Sequence, residues 1–511
     1  MTSENSDSAP NLSKDEAAEL VAWVKKQYRK CKDQRNKQER QWYINMAFYF
    51  GRQNVASITT SSAGTKLHEP KAPYWRARPV INRIRPIVRK ELSKIMSSEP
   101  TAYVAPASSE DRDLFAAQAG ESIWRSLYEQ HNLQNVFYRA TFWTAICGTG
   151  FVKCYWDASE VDEVNNMPGN ICYEAETPFH VYVPDLAETQ LEKQPYVIHA
   201  SLKNIEWAKL RFGDVLTEEI RPTDRAQTIM DTGFLQMIGA EDPPLDSVEV
   251  IEAWIKPGQF SKFPMGALIT LVGDQVAQYV GGWPYQHNRY PFATIRHIES
   301  GGFYGESSIT DLIPLQREYN RTRGQMIEAK NRMAKPQLIA PKGSVNPNSI
   351  TTEPGQVILY RPGFNPPQPL PLQPLPQYVI DEVERIKTDM DDISGQHEVS
   401  RGDAPPGVTA ATAISYLQEQ DDTMLVATVR SVEDAFEKIA VLSLNYVMQF
   451  WDAQRMVKVT GSDGSFDVIT LMGADLNGNT DIKIEKDSAL PTSRAAKQAF
   501  IMDLMKMQFI D

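Results

Sequence analysis

The hydrophobic and polar positions of the chain predict two amphipathic helices that bracket a proline-rich insert. Over about Ser308–Ala334, apolar side chains recur at spacings of three and four residues, and polar or charged side chains fill the other faces, as in a helix with one buried side. A second helix is predicted over Tyr378–Ser394 and ends at Gly395, because glycine commonly follows the last residue of a helix. The sequence therefore predicts helix, insert, helix over residues 305–396.

A third, very long helix is predicted after a loop at 397–408, which glycines and prolines break. Thr409 can cap the start of this helix, and apolar side chains continue at helical spacing to Trp451. The length is about 43 residues, or roughly 65 Å at 1.5 Å per residue. A helix of that length needs long neighbours to cover its apolar stripe.

The insert, 336–377, is predicted to combine two short strands with an extended strap. Gln337–Ala340 and Gln356–Tyr360 have strand-like composition, and seven prolines lie between Pro362 and Pro376. Such a run cannot join a central sheet ladder or a helix interior, so we interpret it as a polyproline-like strap. The alternative is a ligand for the aromatic groove of a signalling domain, which the closely flanking helices disfavour.

The remaining chain has a helical first part and a strand-rich middle. Helices are predicted over Lys14–Phe50, Asn82–Met96, Asp111–Asn132 and Leu133–Cys147, with a loop at Gln53–Pro79 and a short strand at Thr101–Val104. Strands are predicted at Phe151–Trp156, Ile171–Glu176, Tyr196–Ala200, Val248–Ile255, Ala267–Val272 and Phe292–Ile298, with a hairpin at Gly273-Asp274. A small β segment runs to about Ile484, and Pro491 opens a final helix. The fold class is therefore α+β and mostly helical.

Composition adds three limits. The net charge of −12 argues against a general nucleic-acid coat, which would be basic, although a local surface can still contact DNA. The four cysteines form no CxxC pair and are interpreted as buried or free thiols in a reducing compartment. No apolar run is long enough for a membrane span, and the polar start is interpreted as a disordered tail.

The chain lacks the sequence motifs of the common catalytic sites. It contains no GxxxxGK[ST] phosphate loop, no HExxH zinc motif, and no histidine and cysteine cluster with metal-ligand spacing. Gly148-Thr149-Gly150 leads from helix into strand, the reverse of a dinucleotide-binding fingerprint. We therefore predict no enzymatic activity, no cofactor and no metal.

Two short polar motifs have ordinary explanations. Arg401-Gly402-Asp403 matches a cell-adhesion tripeptide, but so short a motif arises by chance. Asp389, Asp391 and Asp392 could bind a divalent ion, although helix neighbours one and two residues apart do not face each other. A solvated acidic face is the preferred interpretation of these aspartates.

The order of these elements resembles that of the portal proteins of tailed bacteriophages, and is nearest to the P22-like type of short-tailed phages. In that family a glycine-containing lead-in precedes a stem helix with a recurring Gln and Asn, and a proline near the helix end opens the clip. The matching residues here are Tyr304-Gly305-Glu306-Ser307-Ser308, Leu312, Gln316, Asn320 and Ala334-Lys335-Pro336. The Asn82 helix, Glu99-Pro100 and Gly148-Thr149-Gly150-Phe151 look like the family's wing. The resemblance covers about Lys14 to Ile484.

The resemblance implies a portal-type fold with a wing, a two-helix stem, a small α/β clip, a long wing helix and a C-terminal crown helix. The implied division is a disordered tail (1–13), a wing (14–304, helical to 147 and α+β from 148), a first stem helix (305–335), the clip (336–377), a second stem helix (378–396), a channel loop (397–408), the long wing helix with a β return (409–490) and the start of a crown helix (491–511).

The resemblance also implies a function and a set of partners. Portals form a ring, here expected to be a dodecamer, at one capsid vertex of the virion, and they assemble in the host cytoplasm without a membrane. The ring nucleates the capsid and passes double-stranded DNA during packaging and ejection. The implied partners are the terminase large subunit, the head-to-tail adaptor, and the major capsid and scaffolding proteins.

The charges of the predicted stem helices and loop fit a channel through which DNA passes without being retained. The second stem helix is mostly acidic and would repel phosphate, whereas each Lys or Arg contact would add affinity. The channel-lining candidates are Glu384, Lys387 and Asp391; the channel-loop candidates are His397, Glu398, Val399, Ser400 and Arg401; and the clip-docking candidates are Lys342 and Arg361. The alternative is that these charges are plain subunit-interface pairs. The bases of the first stem helix, among them Arg317 and Arg321, are expected to pair with the acidic helix within or between subunits.

Two other functions compete with the conduit. A coat or scaffolding protein would assemble into closed shells or sheets instead of rings. A nucleic-acid-processing enzyme with an unrecognised site would hydrolyse ATP or DNA.

Overall fold

The structure, a computed structural model, describes residues 12–61, 64–73, 75–97, 102–106, 108–162, 164–213, 216, 247–334, 337–351, 356–370, 375–396, 423–460, 466–476 and 482–484. Within these residues helices and antiparallel strands combine in an α+β fold, as the sequence predicts. The predicted channel loop, the first part of the long helix and the final helix from Pro491 lie outside the described residues.

The helices keep close to their predicted limits. They are α1 (Lys14–Tyr49), α2 (Ile84–Ile95), α3 (Asp111–Gln130), α4 (Leu133–Cys147), α5 (Ile205–Phe212), α6 (Ser308–Ala334), α7 (Gln377–Ser394) and α8 (Val426–Phe450). Ser13 caps α1 and forms a reciprocal capping box with Glu16, which satisfies two free N–H groups of the helix start. α7 ends at Gly395, whose φ of 62° suits glycine. No helix of the described residues is long and apolar enough to cross a bilayer.

The strands form antiparallel sheets and hairpins. Their bounds are β1 (Ser57–Ser61), β2 (Gly64–His68), β3 (Ala102–Val104), β4 (Thr149–Asp162), β5 (Met167–Glu176), β6 (Val181–Tyr182), β7 (Tyr196–Asn204), β8 (Ser247–Ile255), β9 (Ala267–Val272), β10 (Gln275–Val280), β11 (Phe292–Arg296), β12 (Leu338–Ile339), β13 (Gln368–Pro369), β14 (Arg455–Thr460), β15 (Phe466–Leu471) and β16 (Ile482–Ile484). A five-stranded sheet has the order β10-β9-β8-β7-β6, and a three-stranded sheet has the order β11-β4-β5. The hairpin predicted at Gly273-Asp274 joins β9 to β10.

The core lies where α1 and α8 pack against these sheets. The aromatic end of α1 is buried, as predicted, and Trp42 meets Phe179 and Tyr304 edge to face at 5.2 and 5.1 Å, a favourable ring geometry. α8 packs on β11 and β4 and on α3. The buried guanidinium of Arg35, in the middle of α1, donates to the carbonyls of Pro178, Phe179 and Val181. Such bonds let a charge enter the core.

The loop predicted at Gln53–Pro79 contains a hairpin, so that part of the prediction is wrong. β1 pairs with β2 from Ser57 opposite His68 to Ser61 opposite Gly64. β1 has the sequence Ser-Ile-Thr-Thr-Ser, whose β-branched residues favour strand. The polar composition that predicted a loop reflects a hairpin without an alternating apolar face.

The second strand predicted in the insert is also misplaced. Gln356–Tyr360 is not a strand; β12 pairs with β13 inside the proline-rich run, with Leu338 opposite Pro369. Val357 and Leu359 are 78% and 81% exposed, so this apolar run of strand-forming residues has no neighbouring strand or core to pack on. A two-residue edge ladder tolerates proline because it needs few N–H donors.

The long helix is not continuous over its described part. A 3₁₀ turn at Thr423–Leu425 precedes α8, whereas the sequence predicts one unbroken α-helix. Such turns are common at helix starts. Here Met424 packs directly over Gly395, at the end of α7.

Candidate stem, clip and channel elements

The lead-in to α6 is held by a close contact between two glycines. Gly148 ends α4 with a φ of +86°, and a Cβ there would lie closer than 3.0 Å to the backbone of Gly305. A Cβ at Gly305 would in turn clash with the carbonyl of Gly148. The N–H of Gly305 donates to the Thr149 hydroxyl at 2.8 Å. Two of the glycines that the family resemblance singles out thus meet, and they join the end of α4 to the lead-in of α6.

Farther along α6, two amides bond to the backbone of the segment before α2. The Gln316 amide accepts from the N–H of Arg83 and donates to the carbonyl of Ile81, both at 2.9 Å. The Asn320 amide accepts from the N–H of Ile81 at 3.1 Å and donates to the amide oxygen of Gln53 at 2.6 Å. Gln316 is fully buried. These side chains therefore pair with main-chain groups, as a neighbouring strand would, and fix α6 to the segment before α2.

α7 packs along α6 and is tied to α2 at its far end. The buried side chains of α7 are Val383, Ile386 and Met390, which recur at helical spacing as one face. The Gln396 amide donates to the carbonyl of Ile87 at 2.9 Å. Asp391 pairs with Arg83 at 3.5 Å. The hairpin of α6 and α7 is therefore anchored to α2 and to the segment before it, at the end where α6 begins and α7 ends.

The candidate clip is extended and mostly exposed over its described residues, 337–351 and 356–370. The backbone N–H of Arg361 donates to the carbonyl of Ser344 at 2.8 Å, which closes a loop over the short β12–β13 ladder. The clip-docking candidates Lys342 and Arg361 are both exposed. Large apolar side chains of the same segment are also exposed: Leu338, Ile339, Val357, Leu359, Tyr360 and Phe364. Apolar side chains grouped in this way mark contact surfaces.

The channel-lining candidates share one flank of α7 but differ in exposure. The Glu384 side chain is 69% exposed and pairs with Lys387 at 2.6 Å, whereas Asp391 is 15% exposed because it pairs with Arg83. The candidates His397 to Arg401 lie outside the described residues. The expected pairing of α6 bases with α7 acids is not found among the described ion pairs of one chain: Arg321 pairs with Glu318 on its own helix.

A buried polar network between the two larger sheets was missed by sequence motifs. Lys153 on β4 donates to Glu252 on β8 at 2.8 Å, and its Nζ lies 3.4 Å from Nδ1 of His199 on β7. Nε2 of His199 lies 3.2 Å from Glu176, which also contacts His180 at 2.5 Å. His180 lies in the turn after β5, and the other members come from four separate strands, so no local spacing reveals the whole network. Two carboxylates, one ammonium and the imidazoles balance one another, and the network joins the sheets.

The charges of this network perturb one another. Burial alone would raise the pKa of Glu176, but the neighbouring His199 and His180 outweigh it and hold that pKa well below its usual range. Burial and Lys153 oppose the charged form of His199, but Glu176 outweighs them and raises the pKa of the imidazole. The folded state therefore favours ionised carboxylates beside a protonated His199.

A second buried pair lies where α6 begins. Glu91 on α2 accepts from the Ser308 hydroxyl at 3.0 Å, and its carboxylate lies 3.8 Å from His297. Burial raises the pKa of Glu91 to about 7 and lowers the pKa of His297 to about 4. His297 in turn contacts Thr428 at 2.9 Å. Groups on α2, α6 and α8 thus meet at a site that excludes water and charge.

Comparison with known proteins gives the family. No curated protein matches the chain. A family model described as "Phage P22-like portal protein" matches residues 25–264 and 268–509, nearly the whole chain. Portal proteins are structural components of the phage capsid that form oligomeric rings. With a match of this extent, the chain belongs to the family of phage P22-like portal proteins.

Proposed function

We propose that copies of this chain form a ring at one vertex of the phage capsid, with the α6–α7 hairpins side by side around an axial channel for double-stranded DNA. The observation that carries the proposal is the hairpin itself. Its wing end is fixed by Gln316, Asn320 and Gln396 through buried hydrogen bonds. Its other end carries the exposed clip. An element held at one end and projecting at the other suits the wall of a conduit.

The charge of α7 supports passage of DNA without retention. α7 carries six carboxylates and two basic side chains, and like charge repels a phosphate backbone. The flank of Glu384, Lys387 and Asp391 is the proposed channel wall, although Arg83 neutralises Asp391. The loop residues His397 to Arg401 are proposed to touch DNA transiently during packaging and ejection.

The clip is the proposed docking site for the packaging motor and later for the tail. Its exposed apolar side chains and the cations Lys342 and Arg361 lie on one projecting element, and mixed surfaces of this kind suit successive partners. We propose that the terminase large subunit and the head-to-tail adaptor bind there in turn. The wing is proposed to meet the major capsid and scaffolding proteins and to nucleate the shell.

Electron microscopy of the purified full chain tests the ring. A dodecamer of the 57.7 kDa chain has a mass of about 0.7 MDa, and the expected image is a ring with an axial hole wide enough for a duplex. Closed shells or sheets would instead indicate a coat or scaffolding protein. Solitary molecules, or rings in which α6 and α7 lie far from the axis, would overturn the proposal.

A further inference from the structure

An open cleft lined by arginines lies beside α6. It has a volume of about 510 Å³ and lies between the segment 75–79 and the helix. Arg76, Arg78, Arg317 and Arg321 line it, with Glu328 as the one carboxylate among its lining residues. Glu328 accepts from the N–H of Ala77 at 3.1 Å. The cleft therefore carries an excess of positive charge.

Two of these arginines and an exposed tryptophan are available to a partner. The Arg321 side chain is 67% exposed, and its bond to Glu318 is long, at 3.6 Å. Arg76 is exposed and has no ion pair within the described part of the chain. Trp75, at the rim, is 62% exposed. Tryptophan and arginine are enriched at the centres of protein–protein interfaces, so this grouping indicates a contact surface.

The complementary surface lies on α7, on the flank opposite the proposed channel wall. Tyr378, Glu382, Asp389 and Ile393 follow one another at intervals of four, seven and four residues and so share one stripe of the helix. Glu382 and Asp389 are exposed and have no ion pair among the described residues. Tyr378 and Ile393 are 72% and 47% exposed. The stripe thus presents two carboxylates between two apolar side chains.

The spacings of cleft and stripe match. The bond from Ala77 to Glu328 places Arg76 near the level of residue 328, seven residues from Arg321. Glu382 and Asp389 are also seven residues apart, and both separations are about 10 Å along a helix axis. α6 and α7 run in opposite directions. Arg76 and Glu382 therefore both lie nearer the loop that joins the two helices, and Arg321 and Asp389 both lie nearer the start of α6. A rotation about an axis parallel to the hairpin would therefore set Glu382 beside Arg76 and Asp389 beside Arg321.

We propose that the cleft of one copy receives the acidic stripe of α7 from the next copy, so that each hairpin carries both halves of a head-to-tail contact. This proposal rests on the ring described above and identifies the contact that closes it. Two different surfaces of one chain make a heterologous interface, which closes into a ring when the rotation allows. A DNA phosphate backbone would match the arginines but not the apolar side chains of Trp75, Tyr378 and Ile393.

Charge reversal on each side tests the contact. The cleft variant R76E/R321E and the stripe variant E382R/D389R are each expected to raise the subunit concentration needed for ring assembly by about tenfold or more, measured by native mass spectrometry and electron microscopy. Circular dichroism and thermal melting show whether each variant keeps its fold. The control D381R/E129R makes the same charge change as the stripe variant, with Asp381 on α7 outside the stripe and Glu129 on α3, and is expected to assemble normally.

Mixing the two variants, and combining their substitutions in one chain, make the test specific. An equimolar mixture of the cleft and stripe variants is expected to recover rings with alternating subunits, because every contact then joins opposite charges. The chain with all four reversals should recover rings by itself, whatever the number of subunits. Folded variants that assemble like the wild type, or a failure of both the mixture and the fourfold variant, would overturn the proposal.

Two further outcomes distinguish this subunit contact from a failure of the proposed ring and from a phosphate-binding site. If the wild type forms no ring, the proposed function fails. If the wild type forms rings and the cleft variant also does, but the variant loses retention of a short DNA duplex that the wild type holds, the cleft is a phosphate site and the subunit contact is refuted.

Discussion

The buried amide of Gln316 bonds to the backbone N–H of Arg83 at 2.9 Å, although the two residues are 233 positions apart in the chain. The same amide donates to the carbonyl of Ile81. α6 is therefore positioned through main-chain groups of the segment before α2. The register of α6 against this segment depends on a glutamine, a residue type that is mostly found on the protein surface.

Replacing Gln316 with leucine is expected to lower the free energy of unfolding by about 3 kcal/mol, because the Arg83 N–H and the Ile81 carbonyl would stay buried without partners. Urea denaturation of the unassembled chain measures the change. The same replacement at exposed Gln118 on α3 should cost less than about 0.5 kcal/mol. Equal effects at the two positions would refute the role of Gln316.

Substituting Gly148 with alanine is expected to be more damaging than the same change at Gly343. Both glycines have a positive φ, of 86° and 84°, but a Cβ at Gly343 meets nothing within 4 Å, whereas one at Gly148 clashes with Gly305. The backbone strain alone costs about 1 kcal/mol at either position. Any further loss of stability at Gly148 therefore measures the clash with Gly305. Thermal melting compares the two variants, and similar melting temperatures would count against a tight glycine contact.

The contribution of Glu91 to stability is expected to fall as the pH rises from about 5 to 8. The folded-state pKa of this carboxyl, about 7, lies above its ordinary value of 4.5. Its contribution is therefore complete below the unfolded pKa and is lost as the pH rises through the folded pKa. The loss is on the order of 3 kcal/mol.

The variant Glu91→Gln isolates this contribution. When urea denaturation is compared at pH 5 and pH 8, the free energy of unfolding of this variant should change less unfavourably with rising pH than that of the wild type, while Glu129→Gln on the exposed face of α3 should behave like the wild type. A pH dependence of Glu91→Gln equal to that of the wild type would show that Glu91 does not titrate in this range.

Replacing Lys153 with methionine is expected to destabilise the fold by about 3–5 kcal/mol, because Glu252 would stay buried without its ammonium partner. The matched control is Lys203, which pairs with Glu174 at 3.2 Å. Both side chains of this pair are about one-third exposed, so replacing Lys203 with methionine should cost less than about 1 kcal/mol. Chemical denaturation at neutral pH compares the two. A small loss for Lys153 would mean that water reaches the network.

Local patterns predicted the elements of this fold well where one face is buried. The limits of α6 coincide with the predicted Ser308–Ala334, because its apolar spacing is regular and its polar faces are solvated. The prediction of a strand at Gln356–Tyr360 is wrong because a composition of β-branched and apolar residues favours a strand only where a partner strand or a core covers it, and Val357 and Leu359 are exposed. A rule based on sequence spacing cannot see whether a partner lies opposite.

Long-range polar contacts were beyond reach of the sequence for a different reason. The side chains of His199 and Glu252 contact Glu176 and Lys153, which belong to another sheet. In the sequence, each of these residues has the neighbours of an ordinary strand position. Gln316 and Asn320 were noticed only as part of a family resemblance, without a partner. Only the folded chain pairs such groups, because their separation in sequence exceeds any local period.

The bonds from Gln316 and Asn320 to the main chain have a consequence for divergence. Since the amides contact the peptide groups of Ile81 and Arg83 rather than their side chains, mutations in that stretch can change its chemistry without releasing the helix. Related chains could therefore lose all visible similarity there and still dock the same way, and covariation between the two regions would be weak even though they touch.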